Sequence, residues 1–155
     1  MERIRKKFRF QNGIEVSTNG TRGGLCLGWK NEMDIRLMGY NENCIDVMVN
    51  NDGNRPEWRL TGFYGAPDVR DRADFWNLLR NLSHNSSKAW VVLGDFNEII
   101  SNQEKCGGRY REEKQMDAFQ EALDYCVLTD LDAGTLGKGG ILRQPTFKKD
   151  WIEEW

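Results

Sequence analysis

The stretch WVVLGDFNEII, residues 90–100, constrains the fold more than any other part of the sequence. Its first four residues form an uninterrupted apolar run, which predicts a strand buried on both faces. Polar residues follow at once, with Asp95 and Asn97 separated by Phe96. In an extended chain alternate side chains point the same way, so Asp95 and Asn97 are expected to share one side. Two polar groups at the end of a core strand are typical of a functional site.

Strand patterns dominate the sequence before this run. Four segments have strand character and are joined by turn-rich pieces: 24–29, 33–38, 45–49 and 58–64. Short strands separated by tight turns favour an antiparallel meander. Within it, Trp58, Leu60, Gly62 and Tyr64 share one parity, as a sheet with a packed face requires.

Helical periods appear after Pro67. Apolar residues recur at helical spacing in two stretches: Phe75, Leu78, Leu79 and Leu82, then Met116, Phe119, Leu123 and Cys126. The candidate caps before them are acidic: Asp68 and Asp71, then Glu112 and Glu113. Two amphipathic helices are therefore predicted, on either side of the buried strand in the chain. The fold class predicted from both halves is α+β.

Composition limits the choice of partners. With 155 residues, 39% of them hydrophobic, the chain can form one globular domain with a substantial core. A formal net charge of −2 excludes a uniformly cationic DNA-coating protein, so any nucleic-acid surface must be local. The basic run at residues 3–9 is interpreted as the solvated face of an N-terminal helix with Met1, Ile4 and Phe8 on its apolar side.

The sequence contains few features that would direct the protein to a membrane or out of the cell. The four cysteines are widely spaced, without CxxC pairs, and are expected to be reduced thiols rather than zinc ligands. No signal peptide is recognised, and no apolar stretch approaches the roughly 18 residues that a membrane span needs. We expect an intracellular protein, nuclear or cytoplasmic and not secreted, without a membrane partner.

A second polar group is expected near Asp95. In TGFYGAPD, residues 61–68, a strand ends at Tyr64 and meets Gly65 and Pro67. Alone, Tyr64 fits an amphipathic core tyrosine, and Asp95–Asn97 alone fits a turn after a strand. Together they predict one site, in which Tyr64 lies within about 10 Å, or two strand spacings, of Asp95.

Taken in order, GGLCLGWK (residues 23–30), FYGAP, GDFNEI and EKCGG resemble the endonuclease/exonuclease/phosphatase superfamily. Within it, the resemblance is to the endonuclease domain of plant non-LTR (LINE-type) retrotransposon polyproteins. It covers residues 1–131 and implies a deoxyribonuclease I-like β-sandwich flanked by helices, in four layers α/β/β/α and lacking terminal strands. Residues 132–155 are expected to be a divergent Gly-rich loop and tail, which is not a P-loop because Lys138 is not followed by Ser or Thr.

The resemblance also implies a chemistry. Such enzymes hydrolyse DNA phosphodiesters with Mg²⁺, which offsets charge on the phosphate. By match to the motif, Asp95 positions or deprotonates the attacking water, Asn97 hydrogen-bonds phosphate or Asp95, and Tyr64 contacts a phosphate oxygen. The family's metal-binding Glu and its SDH-motif His have no counterpart here, since His84 lies in a loop between helix and strand. No metal ligand is therefore assigned in this chain.

Two hypotheses remain. In the first, the chain is a phosphodiesterase domain acting on DNA, with its missing parts supplied elsewhere; in the second, which the missing motifs favour, it is a retroelement-derived remnant that is inactive alone. A phosphatase of the same superfamily is a third alternative. Missing strands would expose sheet edges, so the isolated chain is also expected to self-associate.

Overall fold

Strands and helices together form a mixed α+β fold in the computed structural model, which describes residues 10–17, 24–50, 56–85, 87–104, 109–130 and 140–143. The strands in these ranges are β1 (Asn12–Val16), β2 (Leu25–Trp29), β3 (Asp34–Asn41), β4 (Cys44–Asn50), β5 (Trp58–Tyr64), β6 (Ala89–Asp95), β7 (Leu128–Asp130) and β8 (Gly140–Arg143). The helices are α1 (Arg72–Ser83) and α2 (Glu113–Cys126). The predicted fold class and the four predicted strands before residue 65 are confirmed.

The described strands form two sheets. One contains β1 and β2, and the other has the order β3-β4-β5-β6-β8-β7. Its neighbours are antiparallel except β5 and β6, which are parallel and joined through α1. The predicted meander is correct for β3, β4 and β5 but wrong for β2, because β2 pairs with β1.

The strands β4, β5 and β6 of the larger sheet are buried on both faces. One face contributes Val47, Leu60 and Val91 to an apolar cluster that includes residues of the β1–β2 pair. The opposite face contributes Phe63 and Val92, among others, to a cluster with residues of both helices. The described residues therefore form a helical layer, a six-stranded sheet and a two-stranded sheet. The fourth layer and the missing terminal strands remain predictions.

Both helices lie where the apolar spacing predicts them, but their acidic caps differ from the expectation. Asp71 and Glu112 occupy the N-cap positions, and neither side chain accepts a capping hydrogen bond. Asp68 instead caps the short 3-10 turn before α1, where its carboxylate accepts from the Arg70 N–H at 2.9 Å. The apolar faces, packed on the sheet, thus outweigh capping in fixing these helices.

A polar network that the sequence patterns do not reveal lies between the sheet and α1. Arg59 makes two hydrogen bonds of 2.8 Å to the carboxylate of Asp46 and donates to the Leu82 carbonyl at 2.6 Å. Thr61 Oγ1 donates to Asp46 Oδ1 at 2.7 Å and accepts from Trp90 Nε1 at 2.8 Å. The side chains of Asp46, Arg59, Thr61 and Trp90 are all buried. We call Asp46, Arg59, Thr61 and Trp90 the Asp46 network.

β3 lies at one end of the six-stranded sheet and is more exposed than β4, β5 and β6. Leu37, Met38 and Tyr40 are 43%, 47% and 63% exposed, and a bulge interrupts the pairing with β4 near them. Exposed apolar side chains on an edge strand are suited to pairing with another chain. Self-association through a sheet edge stays a prediction, and β3 is the edge at which we expect it.

The structure tests some of the remaining predictions and not others. The N-terminal helix and the Gly-rich loop up to residue 139 lie outside the described residues, whereas Gly140 begins β8, which pairs with β6. Of the described cysteines, Cys44 and Cys126 are buried and Cys26 is exposed, and none of these three forms a disulfide. Within the described ranges, neither helix is both long and apolar enough to cross a membrane.

Candidate functional site

Tyr64 and Asp95 lie side by side at the ends of the two parallel strands. In the register of β5 and β6, Tyr64 is paired with Asp95 and is the last residue of its strand, as Asp95 is of β6. Paired residues on neighbouring strands are about 4.8 Å apart along the hydrogen-bonding direction. The predicted proximity of the two residues is therefore confirmed. We call these strand ends and the loops that follow them, residues 64–66 and 95–98, the carboxyl edge.

Both side chains belong to the sheet face that carries the β1–β2 pair. Tyr64 has the parity of Leu60, and Asp95 has the parity of Val91, and both of those residues pack in the cluster on that face. At the strand ends the packing stops, so Tyr64 is only partly buried and Asp95 is exposed. A phenol and a carboxylate therefore meet solvent together at one edge.

The chain does not remain extended after Asp95. β6 ends there, and Asn97 has a left-handed backbone with φ 54°. The expectation that Asp95 and Asn97 point the same way by strand alternation therefore rests on a wrong assumption. Asp95 Oδ1 instead accepts a hydrogen bond from the Asn97 backbone N–H at 2.9 Å, which is the turn geometry that Asp residues favour.

The side chain of Asn97 ties the two loops of the carboxyl edge together. Its Nδ2 donates to the Gly65 carbonyl at 2.9 Å, and the Gly65 N–H donates to the Asp95 carbonyl at 2.7 Å. The expected hydrogen bond between Asn97 and Asp95 is thus present, but it comes from the backbone of Asn97. Asn97 consequently positions the loop that carries Asp95.

Two glycines permit this close approach. A Cβ atom at Gly65 would lie 2.3 Å from the Phe96 carbonyl oxygen, and one at Gly94 would lie 1.7 Å from the Phe63 carbonyl oxygen. Both distances are far below van der Waals contact with backbone atoms that cannot move aside. The glycines of FYGAP and GDFN are therefore required by the packing of one strand end against the other.

Glu98 is held inside the protein by two arginines. Its side chain is 0% exposed, and its carboxylate forms ion pairs with Arg72 and with Arg111, the latter at 2.7 Å from Nε to Oε1. Arg72 Nη1 also donates to Gln115 Oε1 at 3.1 Å. The Glu98 carboxylate therefore does not face solvent. We call Glu98, Arg72, Arg111 and Gln115 the Glu98 cluster.

The Glu98 cluster donates hydrogen bonds to both loops of the carboxyl edge. Arg72 Nε donates to the Ala66 carbonyl at 3.4 Å, and Arg111 Nη2 donates to the Asn97 carbonyl at 3.4 Å. Burial lowers the pKa of the Arg72 guanidinium, while the nearby Glu98 carboxylate acts to raise it. Arginine keeps its proton far above neutral pH, so the two arginines and Glu98 form a charged interior cluster.

The described residues offer few ligands for a hard cation. Mg²⁺ prefers an octahedral set of oxygen ligands, including carboxylates. At the carboxyl edge Asp95 is the exposed carboxylate, and Glu98 is engaged by arginines. Within the described ranges, His, Cys, Asp and Glu form no group of three or more that could hold a metal ion. These residues do not fit a Mg²⁺ site by themselves.

The predicted catalytic residues still form a chemically coherent group. Among the described residues, the Asn97 N–H is the one hydrogen-bond donor to the Asp95 carboxylate, and it uses Oδ1. Oδ2 can therefore accept from a water or another donor, and the neighbouring Tyr64 hydroxyl can donate to an anionic oxygen. His84 is remote from this group, since it follows α1 and its Nε2 lies 3.0 Å from the Tyr125 hydroxyl.

The chain matches no family model and no curated protein sequence. It is similar to the solved endonuclease domain of TRAS1, a telomere-specific non-LTR retrotransposon, with a TM-score of 0.58 and 14% identity over 83% of this chain and 55% of that one. The chain shares its fold with that endonuclease domain. It spans about half of that domain's length.

A second solved structure is more distant. The human Nocturnin catalytic domain with bound sulfate has a TM-score of 0.42 and 14% identity, over 63% of this chain and 46% of that one. The likeness to the TRAS1 domain supports the endonuclease/exonuclease/phosphatase fold that the sequence motifs predict. At 14% identity this likeness shows the fold alone, because one fold can host many unrelated activities.

Proposed function

We propose that this chain is an endonuclease-like domain unit, derived from a plant non-LTR retrotransposon, whose carboxyl edge faces a DNA phosphodiester. The observation that carries the proposal is the parallel pairing of β5 and β6, which brings Tyr64 and Asp95 to the same edge. The shared fold with a retrotransposon endonuclease domain supports DNA as the substrate class. Cleavage of a phosphodiester by water is the chemistry that a carboxylate and a phenol at one edge can assist.

Each residue has a distinct part in this proposal. Asp95 orients the attacking water through Oδ2 and accepts its proton when the water lies within hydrogen-bond reach. Tyr64 donates its hydroxyl hydrogen to a phosphate oxygen. Asn97 holds the loop in place through its bonds to Gly65 and Asp95.

We expect the purified chain to nick supercoiled plasmid very slowly or not at all when Mg²⁺ is supplied. The physical reason is that the described residues of the carboxyl edge provide one accessible carboxylate, that of Asp95. They do not fit a Mg²⁺ site. General acid–base assistance alone contributes about 10²–10⁴ in rate, which is a small part of enzymatic acceleration. Conversion of supercoiled to open-circular DNA on agarose gels measures the activity.

Metal-dependent nicking that is lost in Asp95→Asn would contradict this expectation and favour the active endonuclease. Hydrolysis of an inositol phosphate or phospholipid headgroup without plasmid nicking would favour the phosphatase. Asp124→Asn is the matched control, because Asp124 is an exposed carboxylate near the far end of α2, where it accepts from Gln120.

A second measurement tests whether Asp95 faces phosphate even when nothing is cleaved. Two like charges about 4 Å apart in water repel by about 1 kcal/mol, which corresponds to about fivefold in affinity. Asp95→Asn is therefore expected to bind a short oligonucleotide about fivefold more tightly than the natural sequence. Fluorescence anisotropy in EDTA measures this without cleavage. Asp124→Asn gives the general effect of lost negative charge, and equal tightening by both variants refutes the placement of Asp95.

A further inference from the structure

The segment Arg109–Tyr110–Arg111 presents an unusually exposed aromatic ring, and its last residue contacts the carboxyl edge. Tyr110 is 80% exposed, more than any other large hydrophobic side chain in the described ranges. It stands between two arginines and immediately before the two residues, Arg111 and Glu112, that lead into α2. Nothing in the core or in the proposed roles of Asp95, Asn97 and Tyr64 accounts for this ring.

The segment is anchored through its last residue, Arg111. The Arg111 N–H donates to Asn102 Oδ1 at 2.8 Å, and Asn102 Nδ2 donates back to the Arg111 carbonyl at 3.2 Å. The Arg111 guanidinium contacts the Asn97 carbonyl and the Glu98 carboxylate. Tyr110 is therefore one residue away from a side chain that touches the loop carrying Asp95. An exposed ring on an anchored backbone has little conformational entropy to lose when it binds a ligand.

We propose that Tyr110 stacks on an unpaired DNA base next to the phosphodiester at the carboxyl edge, while Arg109 contacts the adjoining phosphate backbone. The inference rests on the proposed function, which it deepens by naming how the strand is held. Base–aromatic stacking needs an open face on both partners, and a base inside a duplex has none. The ligand is thus a single strand or a nucleotide displaced from the stack.

Charges around Tyr110 give the strand a direction. Glu112 and Glu113 are exposed on the C-terminal side of the ring, where they repel phosphate. Arg109 is exposed on the N-terminal side of the ring, where its positive charge attracts phosphate. The phosphates that flank the stacked base are therefore expected on the Arg109 side. The contact is local, as the overall net charge of −2 requires.

Anisotropy titrations of a labelled single-stranded oligonucleotide in EDTA test the stacking. Tyr110→Ala is expected to weaken binding about tenfold, because stacking on one base is worth about that much. Tyr110→Phe keeps the ring and is expected to bind within about twofold of the natural sequence. With the same sequence as a blunt duplex, all three proteins are expected to bind alike.

Tyr125→Ala is the matched control. Tyr125 is 55% exposed near the C-terminal end of α2, which places it about 18 Å along the helix from the end that follows Tyr110. Arg109→Gln is expected to lower the slope of log affinity against log salt by about 0.7, the value for one phosphate contact on a single strand. Thermal melting of every variant confirms that it is folded.

Three results overturn the stacking: an unchanged affinity in Tyr110→Ala, an equal loss in Tyr110→Phe, or a loss confined to the duplex. If the single strand binds, and Asp95→Asn tightens it while Tyr110→Ala has no effect, the stacking fails and the proposed function stands. If neither oligonucleotide binds to the natural chain, DNA is the wrong substrate and both proposals fail.

Discussion

Asp46→Ala is expected to lower the free energy of unfolding by about 3–5 kcal/mol, the usual cost of removing one partner from a buried ion pair. The substitution leaves the Arg59 guanidinium, which is 1% exposed, with one hydrogen bond to the Leu82 carbonyl and a cation–π contact with Trp90. Thr61 loses the acceptor of its hydroxyl hydrogen as well. Urea unfolding followed by tryptophan fluorescence measures the loss.

Two further variants separate charge burial from simple truncation. Asp34→Ala removes an exposed carboxylate that accepts from Asn50 and is expected to cost less than about 1 kcal/mol. Asp46→Leu combined with Arg59→Met replaces the ion pair by apolar groups and is expected to recover most of the lost stability. If Asp46→Ala is as mild as Asp34→Ala, the Asp46 network does not stabilise the fold as its geometry implies.

The two helices and the strands β2 to β6 could be predicted from periodic or continuous apolar residues, whereas β1, β7 and β8 were not predicted. Apolar residues at helical spacing gave the two helices, and the apolar run 90–93 gave β6. The pairing of β2 could not be predicted in the same way, since alternation shows that a strand has a packed face without naming its neighbour. β8 was missed because its four residues follow a Gly-rich stretch that resembles a loop.

The site was predicted in its position and only partly in its geometry. Two strands that end in Tyr64 and Asp95 implied a shared edge, and the register confirms it. The left-handed backbone of Asn97 was not visible in a strand-like pattern, although the glycines at 65 and 94 were a signal that the backbones approach closely there. Local turn chemistry overrode the alternation of the strand.

Buried charge was the part that sequence patterns missed most clearly. Asp46 and Arg59 occupy inward positions on strands, and Arg72 and Glu98 look like solvent-facing residues at a helix start and in a loop. Hydrophobic periodicity treats every charged residue as exposed, whereas pairs of opposite charge can be buried together. The pairing depends on contacts between residues distant in sequence, such as 46 with 59 and 72 with 98.

Glu98→Gln is expected to destabilise the protein by about 3 kcal/mol and to loosen the loop that carries Asp95. The variant keeps the shape of the side chain but removes the charge opposite Arg72, and it places an amide N–H group against a guanidinium. Arg72 bears most of the cost because its side chain is 6% exposed, whereas that of Arg111 is 28% exposed and can turn towards water. Urea unfolding measures the stability, and hydrogen exchange at the Asn97 amide measures the loop.

The exchange measurement distinguishes support of the carboxyl edge from a general loss of stability. The Asn97 amide donates to Asp95, so its protection reports whether that turn is intact. If the Glu98 cluster holds the loop, opening of the Asp95 turn breaks the cluster, and Glu98→Gln increases exchange at Asn97 about as much as at β4 amides, which open only with the whole fold. Glu113→Gln, an exposed carboxylate in the first turn of α2, is expected to change neither quantity appreciably. An increase at the β4 amides without one at Asn97 would limit the cluster to global stability, because the Asp95 turn would then open without breaking the Glu98 cluster.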